Sequence, residues 1–237
     1  MVQLTPNKPY LIVRIKFKKM GSLQYISHLD LVRTMHKIIV RARLPLWYTE
    51  GFNPKPKMIF AAPLSIGTES LAEYMDLRLV EDMDPSEIMD RLNRNMTDEM
   101  QVLDAYYTDE KLTAMRWLSY SMRITTDGSS EELAERCGAL LSSDTVNVVK
   151  KGKPKDEPKV QNIAPLIKSV DVRYLEGDIL IDCVLSADPS AFLNPEYVIK
   201  ALREGCGILS SPDLTSEYYS ILRTSAHRED MSDFGIH

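Results

Sequence analysis

Cysteine is scarce in this sequence of 237 residues, which contains only Cys137, Cys183 and Cys206. An odd number of cysteines separated by wide gaps suits neither a disulfide framework nor a zinc-binding motif. Cysteines of this kind usually behave as small buried hydrophobic side chains. We therefore expect three reduced thiols, no bound metal and no cofactor held by this chain.

Long hydrophobic runs are missing as well. No segment approaches the roughly 18 consecutive apolar residues that a transmembrane helix requires. Near the amino terminus, Lys8, Arg14 and Lys16 occupy the region in which a signal peptide has its apolar core. The sequence therefore predicts a cytoplasmic protein with no membrane association. It also contains no phosphate-binding loop, metal-ligand cluster or Ser-His-Asp order that would indicate a common type of active site.

Basic residues are outnumbered by acidic ones, 29 to 34, so the formal net charge is −5. Their distribution is uneven, because residues 1–70 contain 11 Lys and Arg but only Asp30, Glu50 and Glu69 as acids. One basic region on an otherwise acidic chain is typical of a protein that contacts a polyanion at one place. The alternative is that these basic residues form ordinary solvated helix faces.

The two halves of the chain show similar orders of secondary-structure elements. In the first half, the residue patterns predict strands over 10–19, 58–61, 73–80 and 101–108 and helices over 27–44 and 84–96. In the second half, they predict strands over 117–126, 145–150 and 217–224, a hairpin over 170–186 and helices over 130–141 and 195–204. The βαββαβ order predicts an α+β protein made of tandem ferredoxin-like domains with antiparallel sheets, residues 1–113 and 114–237.

Three local features add expectations to this architecture. Alternation within 10–19 predicts a strand with one apolar face and one basic face, the latter formed by Arg14, Lys16 and Lys18. The Lys- and Pro-rich segment 150–159 in the second domain is expected to be a mobile loop, with an arm that touches nucleic acid as the alternative. The tail "SAHREDMSDFGIH", which contains His227 and His237, is expected to be frayed.

The most informative basic stretch begins on the first predicted helix. Arg33, Lys37 and Arg41 recur every four residues, so they form a cationic ridge opposite the apolar stripe of that helix. The segment "GFNPKPK" follows at 51–57. Its two prolines force Asn53 and Lys55 into extended backbone, in which Lys55 and Lys57 project to the same side.

Aromatic residues alternate with these cations. Trp47, Tyr48 and Phe52 lie between the helix and the lysines, and flat rings beside ammonium groups are a surface on which unpaired bases stack. We therefore predict a single-stranded nucleic-acid site formed by Arg33, Lys37, Arg41, Trp47, Tyr48, Phe52, Asn53, Lys55 and Lys57. In the alternative interpretation, Trp47 and Phe52 are core residues beneath the loop.

A catalytic role can be considered only for His28. It precedes the apolar stripe of the first helix, where a histidine is more typically a hydrogen-bonded residue at the edge of the core. His28 and Asp30 are two residues apart and do not face each other on a helix, so they form no local acid–base pair. His36 lies near the basic ridge and is expected to face solvent.

The sequence of residues 25–80 resembles that of a known family. The pieces "SHLDL", "LP" at 44–45, "GFNPKPK", "PLSIG" and "ES" followed by "EYMDL" are similar to the signature of the radical-SAM-linked protein family, a domain of unknown function classed as DUF2344. Members of that family are fused to, or encoded beside, a radical SAM protein, often near ribosome-related and ribonuclease genes. The resemblance therefore implies a radical SAM protein as a partner. At position 55 this chain has lysine where histidine is expected in relatives.

Three classes of function follow. The spacing of the cysteines does not match the C-x₃-C-x₂-C triplet of a radical SAM cluster, so we expect the partner to supply that chemistry. The first hypothesis is an RNA-binding module that presents ribosomal or transfer RNA to a radical SAM enzyme. The second is an RNA-processing or RNA-modifying enzyme that depends on His28, by fold-level analogy with CRISPR-repeat endoribonucleases. The third is a protein–protein scaffold for the radical SAM partner.

Overall fold

The computed structural model describes residues 9–150, 159–213 and 215–235. Over these residues the chain is a mixed α+β protein. It divides into two compact units, the first ending at Ala114 and the second beginning at Met115. In the described ranges, no helix combines the length and the apolar composition that crossing a membrane would require.

The first unit is a four-stranded sheet with two helices. Its elements are β1 (Leu11–Lys19), α1 (His28–Arg41), β2 (Met58–Phe60), β3 (Thr68–Leu79), α2 (Pro85–Asn93) and β4 (Met100–Tyr107). The strand order is β4-β1-β3-β2, and each neighbouring pair is antiparallel. Helix α1 ends before Pro45 because Arg43 turns the chain at a φ of 52°, a left-handed conformation that a helix cannot continue through.

Apolar residues that alternate along the strands form the core of this unit. Val13, Ile15 and Phe17 of β1 are fully buried with apolar residues of β3, β4 and both helices. Local signals start the two helices, because Ser27 and Asp84 occupy the N-cap positions and accept hydrogen bonds from main-chain N–H groups. Pro85 stands in the first turn of α2, where its missing N–H costs nothing.

The second face of β1 is not an exposed basic surface. Arg14 is fully buried, and Lys16 and Lys18 are half-buried. Arg14 lies opposite Asp76 of β3, and its Nε and Nη2 donate to the two carboxylate oxygens at 2.8 and 3.1 Å. It also donates to the main-chain oxygen of Glu110 at 2.6 Å. The prediction of a basic face is therefore wrong at Arg14, because a cross-strand carboxylate neutralises it.

In the second unit, four strands pair side by side. Its elements are β5 (Trp117–Thr125), α3 (Glu131–Leu141), β6 (Asn147–Lys150), β7 (Lys159–Asn162), β8 (Ile167–Leu175), β9 (Asp178–Ser186), α4 (Glu196–Cys206) and β10 (Tyr218–His227). The strand order is β10-β5-β9-β8, again antiparallel, and β6 and β7 form a separate two-stranded sheet. Strand β7 was not predicted. Most of the Lys- and Pro-rich segment, residues 151–158, lies outside the described residues.

The tail beyond β10 is packed, so the prediction of a frayed tail is wrong for residues 225–235. Strand β10 continues to His227, which forms a main-chain bridge with Asp233. Phe234 is fully buried, and the Arg228 guanidinium lies 5.6 Å from the centre of its ring. Burial of this aromatic side chain fixes the segment against the second unit. His237 lies outside the described residues.

Candidate nucleic-acid interface

Helix α1 separates an apolar face from a cationic one. Its buried residues are Leu31, Met35, Ile38 and Ile39. Arg33, Lys37 and Arg41 are all exposed, as the four-residue spacing predicts. Arg33 forms an exposed ion pair with Asp30 at 3.3 Å. Within the part of the chain that the structure describes, Lys37 and Arg41 form no ion pair, so their charges are available to a ligand.

The segment that follows α1 folds into a small hairpin, which we call the 47–57 hairpin. The Trp47 N–H donates to the Arg78 carbonyl of β3 at 2.8 Å, which fixes the base of the hairpin to the sheet. The Thr49 N–H donates to the Lys55 carbonyl at 3.0 Å, and the Lys57 N–H donates to the Trp47 carbonyl at 3.4 Å. Residues 50–54 therefore form a projecting tip.

The three aromatic residues have different environments. Phe52, at the tip, is fully exposed. Tyr48 is 44% exposed. Trp47 is half-buried at the base, with ring centres of Trp47 and Tyr10 5.3 Å apart and the Arg78 guanidinium 5.3 Å from the Trp47 ring. The core interpretation is therefore wrong for Phe52, whereas Trp47 is a packing residue of the hairpin base.

The two lysines of the hairpin project together, as the proline spacing predicts. Lys55 and Lys57 are exposed, and Pro56 between them is buried. Pro56 bridges Tyr48 across the hairpin, so its ring faces the protein and the lysines face outward. Neither lysine forms an ion pair among the described residues. Asn53 is also exposed at the tip.

This geometry can bind a flexible polyanion with exposed bases. The hairpin carries one fully exposed ring and two exposed ammonium groups, and the exposed cation of Arg41 lies six residues before Trp47 at the end of α1. Phosphates favour the cations, and an unpaired base favours the ring. Glu50 is the only carboxylate in the hairpin, so little opposing charge lies at the tip.

His28 lies at the start of α1, where its side chain is exposed. Its ring is perpendicular to that of Phe60, with centres 5.5 Å apart. The Asp30 carboxylate instead accepts from the Ser27 hydroxyl at 2.7 Å, and this bond together with Arg33 lowers the pKa of Asp30. His36, expected to face solvent, is half-buried. No acid–base pair therefore involves His28 within the described ranges.

A second polar cluster, in the other unit, was missed because the tail was expected to be frayed. His227 Nε2 lies 2.7 Å from the Ser119 hydroxyl and 3.0 Å from the Ser225 hydroxyl. Burial lowers the pKa of His227, and the Asp233 carboxylate opposes that effect. Burial thus favours the neutral form of His227, whose ring reaches serines of β5 and β10. The only sequence signal is the alternation of Ser225 and His227 along the strand.

The cysteines show no arrangement suited to a metal. Cys137 and Cys183 are buried and Cys206 is half-buried. Burial raises the pKa of Cys137 and of Cys183 to about 12, so both thiols remain protonated at neutral pH. Within the described residues, no group of His, Cys, Asp or Glu side chains has the arrangement of a metal site.

Comparison with known proteins places the chain in a family. A family model described as an uncharacterized protein conserved in bacteria (DUF2344) matches residues 13–195. The chain belongs to the DUF2344 family. The matched range includes α1 and the 47–57 hairpin. No curated protein matches the sequence.

Several solved structures resemble the DUF2344 chain at a low level. A chain in the crystal structure of a Cbf5-Nop10-Gar1 complex is 12% identical with a TM-score of 0.49, over 92% of this chain and 50% of that one. A chain in the archaeal box H/ACA sRNP Nop10-Cbf5 complex is 9% identical with a TM-score of 0.45, over 89% and 46%. An unknown protein from Galdieria sulphuraria is 9% identical with a TM-score of 0.26, over 90% and 98%. This chain thus spans about half the length of the two chains from the Cbf5 complexes. Structural similarity at this level gives no information about function.

Proposed function

We propose that this DUF2344 chain is a cytoplasmic RNA-binding module that works with a radical SAM enzyme in the modification or maturation of ribosomal or transfer RNA. The observation that carries the proposal is the 47–57 hairpin, which presents fully exposed Phe52 at its tip and exposed Lys55 and Lys57 on its second strand. A fully exposed phenylalanine gains nothing for the fold, because it buries no apolar surface. A base stacked on it supplies the missing contact.

The proposal includes the architecture that presents this tip. We infer that each unit is a ferredoxin-like domain, an inference supported by the antiparallel orders β4-β1-β3-β2 and β10-β5-β9-β8. In the first unit, α1 leads directly into the hairpin. The cation at the end of α1 and the hairpin lysines can therefore follow one RNA backbone, while Phe52 holds a base. The radical SAM partner would supply the reaction.

The test is the salt dependence of RNA binding. Labelled oligouridine should bind with an affinity that falls as salt rises, and Lys55→Ala together with Lys57→Ala should reduce the log–log slope by about 1.4, because each phosphate contact on a single strand contributes about 0.7. Fluorescence anisotropy over a salt series measures this. The matched control is Lys111→Ala with Lys168→Ala, which removes equal charge from exposed lysines outside the hairpin and should leave the slope unchanged.

Other outcomes distinguish the alternatives. Equal slopes for the parent and the Lys55/Lys57 variant would refute the hairpin as an RNA site. Shortening or modification of the RNA that His28→Ala abolishes would favour an enzyme, since His28 is exposed and lies on the same helix as Arg33, Lys37 and Arg41. Absence of RNA binding together with a stable complex with the radical SAM protein would favour a scaffold.

A further inference from the structure

The outer edge of β8 is open. β8 pairs with β9 on one side and ends the strand order of its sheet, and no other strand of the described ranges pairs with it. Its exposed side chains include Tyr174 and Leu175, large hydrophobic residues that are 40% and 48% exposed. The strand contains no proline. Proline and a covering side chain are common devices that prevent an edge strand from pairing.

Strand β4, which ends the strand order of the first unit, is protected by such a device. The Asn93 side chain, at the end of α2, donates to the Val102 carbonyl at 3.1 Å and accepts from the Val102 N–H at 2.8 Å. This amide occupies the positions that a further strand would use. No side-chain amide of the described residues bonds to the main chain of β8 in this way. The outer edge of β8 can therefore accept a further strand, whereas that of β4 is occupied at Val102.

The register identifies the main-chain groups that face outward. β8 and β9 are joined by a two-residue turn, Glu176 and Gly177. The residues that flank such a turn exchange main-chain hydrogen bonds, and every second residue does the same. Pairs such as Leu175 with Asp178 are therefore bonded across the two strands. The intervening residues direct their N–H and C=O groups to the open edge, and these residues are Val170, Val172 and Tyr174.

Two grooves flank this edge and share Ser169 and Val170. The first, which we call the α3 groove, measures about 490 Å³ and is more polar than apolar, because Ser142, Asp144 and Lys168 stand beside Leu141 and Ile167. The second, the acidic groove, measures about 440 Å³ and includes Asp171 and Asp182. Side chains of a strand point alternately to the two faces of its sheet. An added strand would thus direct successive side chains toward different grooves.

The acidic groove has a defined charge preference. Asp171 and Asp182 lie directly opposite each other on β8 and β9. Arg173 binds both carboxylates, at 3.4 and 2.5 Å. Two carboxylates against one guanidinium leave a net negative charge, and like charges opposite each other in a sheet are unfavourable. A cation from a ligand would relieve this repulsion.

We propose that the outer edge of β8, from Val170 to Tyr174, binds an extended segment of a partner protein by strand addition. A Lys or Arg of that segment lies over Asp171 and Asp182, and the next residue places its side chain in the α3 groove. Main-chain hydrogen bonds to the outward groups supply affinity, and the two grooves supply specificity. This site is independent of the proposed RNA surface, since it uses only residues of the second unit.

The experiment selects ligands for the full chain from a displayed library of random peptides. Selected peptides should share a Lys or Arg. Binding of a labelled selected peptide is then measured by anisotropy. Val170→Pro removes one outward N–H. This variant should bind the peptide about fivefold more weakly, which is the loss expected for one main-chain hydrogen bond. Val170→Ala keeps that N–H and is the matched control, while Asp182→Asn should reduce the preference for a basic residue.

Hydrogen exchange followed by NMR gives a second measurement. Bound peptide should slow exchange of the Val170, Val172 and Tyr174 amides and leave Asp171 and Arg173 nearly unchanged, because those two are already bonded to β9. A library that yields no peptide for this edge would overturn the proposal. The proposal would also be overturned if bound peptide slowed exchange of all β8 amides equally. Equal peptide affinity of Val170→Pro and the parent would overturn it as well.

Discussion

Substitution of the two rings of the 47–57 hairpin separates a binding role from a packing role. Phe52 is fully exposed, whereas Trp47 packs against Tyr10 and Arg78. Phe52→Ala should change the free energy of unfolding by less than about 0.5 kcal/mol, because it removes no buried surface. Trp47→Ala should lower it by about 2 kcal/mol, less than the full cost of a core aromatic residue since Trp47 is only half-buried.

Among variants that fold, Phe52→Ala should weaken RNA binding more than Trp47→Ala does. A base stacked on an aromatic ring contributes about 1–3 kcal/mol, so Phe52→Ala should weaken oligouridine binding by about 5- to 150-fold. Its salt slope should equal that of the parent, because no phosphate contact is lost. Tyr25→Ala removes another exposed ring of the first unit, 68% exposed and outside the hairpin, and should leave affinity unchanged.

The assays are urea denaturation followed by circular dichroism, for stability, and fluorescence anisotropy at several salt concentrations, for binding. Two results would refute the reasoning. If Phe52→Ala binds RNA as tightly as the parent, the exposed ring is not a stacking platform. If it destabilises the fold as much as Trp47→Ala does, Phe52 has a packing role that its full exposure does not reveal.

Two further predictions concern carboxylates held by the fold. Asp76→Asn should lower the free energy of unfolding by about 3 kcal/mol in urea denaturation. Arg14 would stay buried with Glu110, 3.4 Å away, as its remaining carboxylate partner. The double replacement Arg14→Met with Asp76→Leu should cost less than the single one, and a single loss below about 1 kcal/mol would contradict this. Glu217 accepts hydrogen bonds from the Thr126 hydroxyl and the Ser211 N–H, and these bonds lower its pKa. Its stabilising effect is therefore present at neutral pH and lost as pH falls through that lowered pKa. The difference in melting temperature between Glu217→Gln and the parent should be large at neutral pH and shrink in acid, and a pH-independent difference would count against it.

The secondary structure was predictable where its signals are local. Ser27 and Asp84 cap the predicted helices, and Glu176 with Gly177 forms the turn of the hairpin predicted over 170–186. The burial of Arg14 was not predictable from β1, because it depends on Asp76, 62 residues later in the chain. The packed tail likewise depends on the buried environment of Phe234, which a polar segment of sequence does not indicate.

The candidate site was predictable as a set of residues but not as an arrangement. Spacing alone places Lys55 and Lys57 on one side, since alternation is a property of any extended chain. It does not assign Trp47 to the base and Phe52 to the tip, because that depends on which residues pair across the hairpin. The bonds from Thr49 to Lys55 and from Lys57 to Trp47 decide the assignment. Because of these pairings, residues 50–54 project from the hairpin. Phe52 is therefore the fully exposed ring, and a bound base would explain its exposure, whereas Trp47 already packs against the protein.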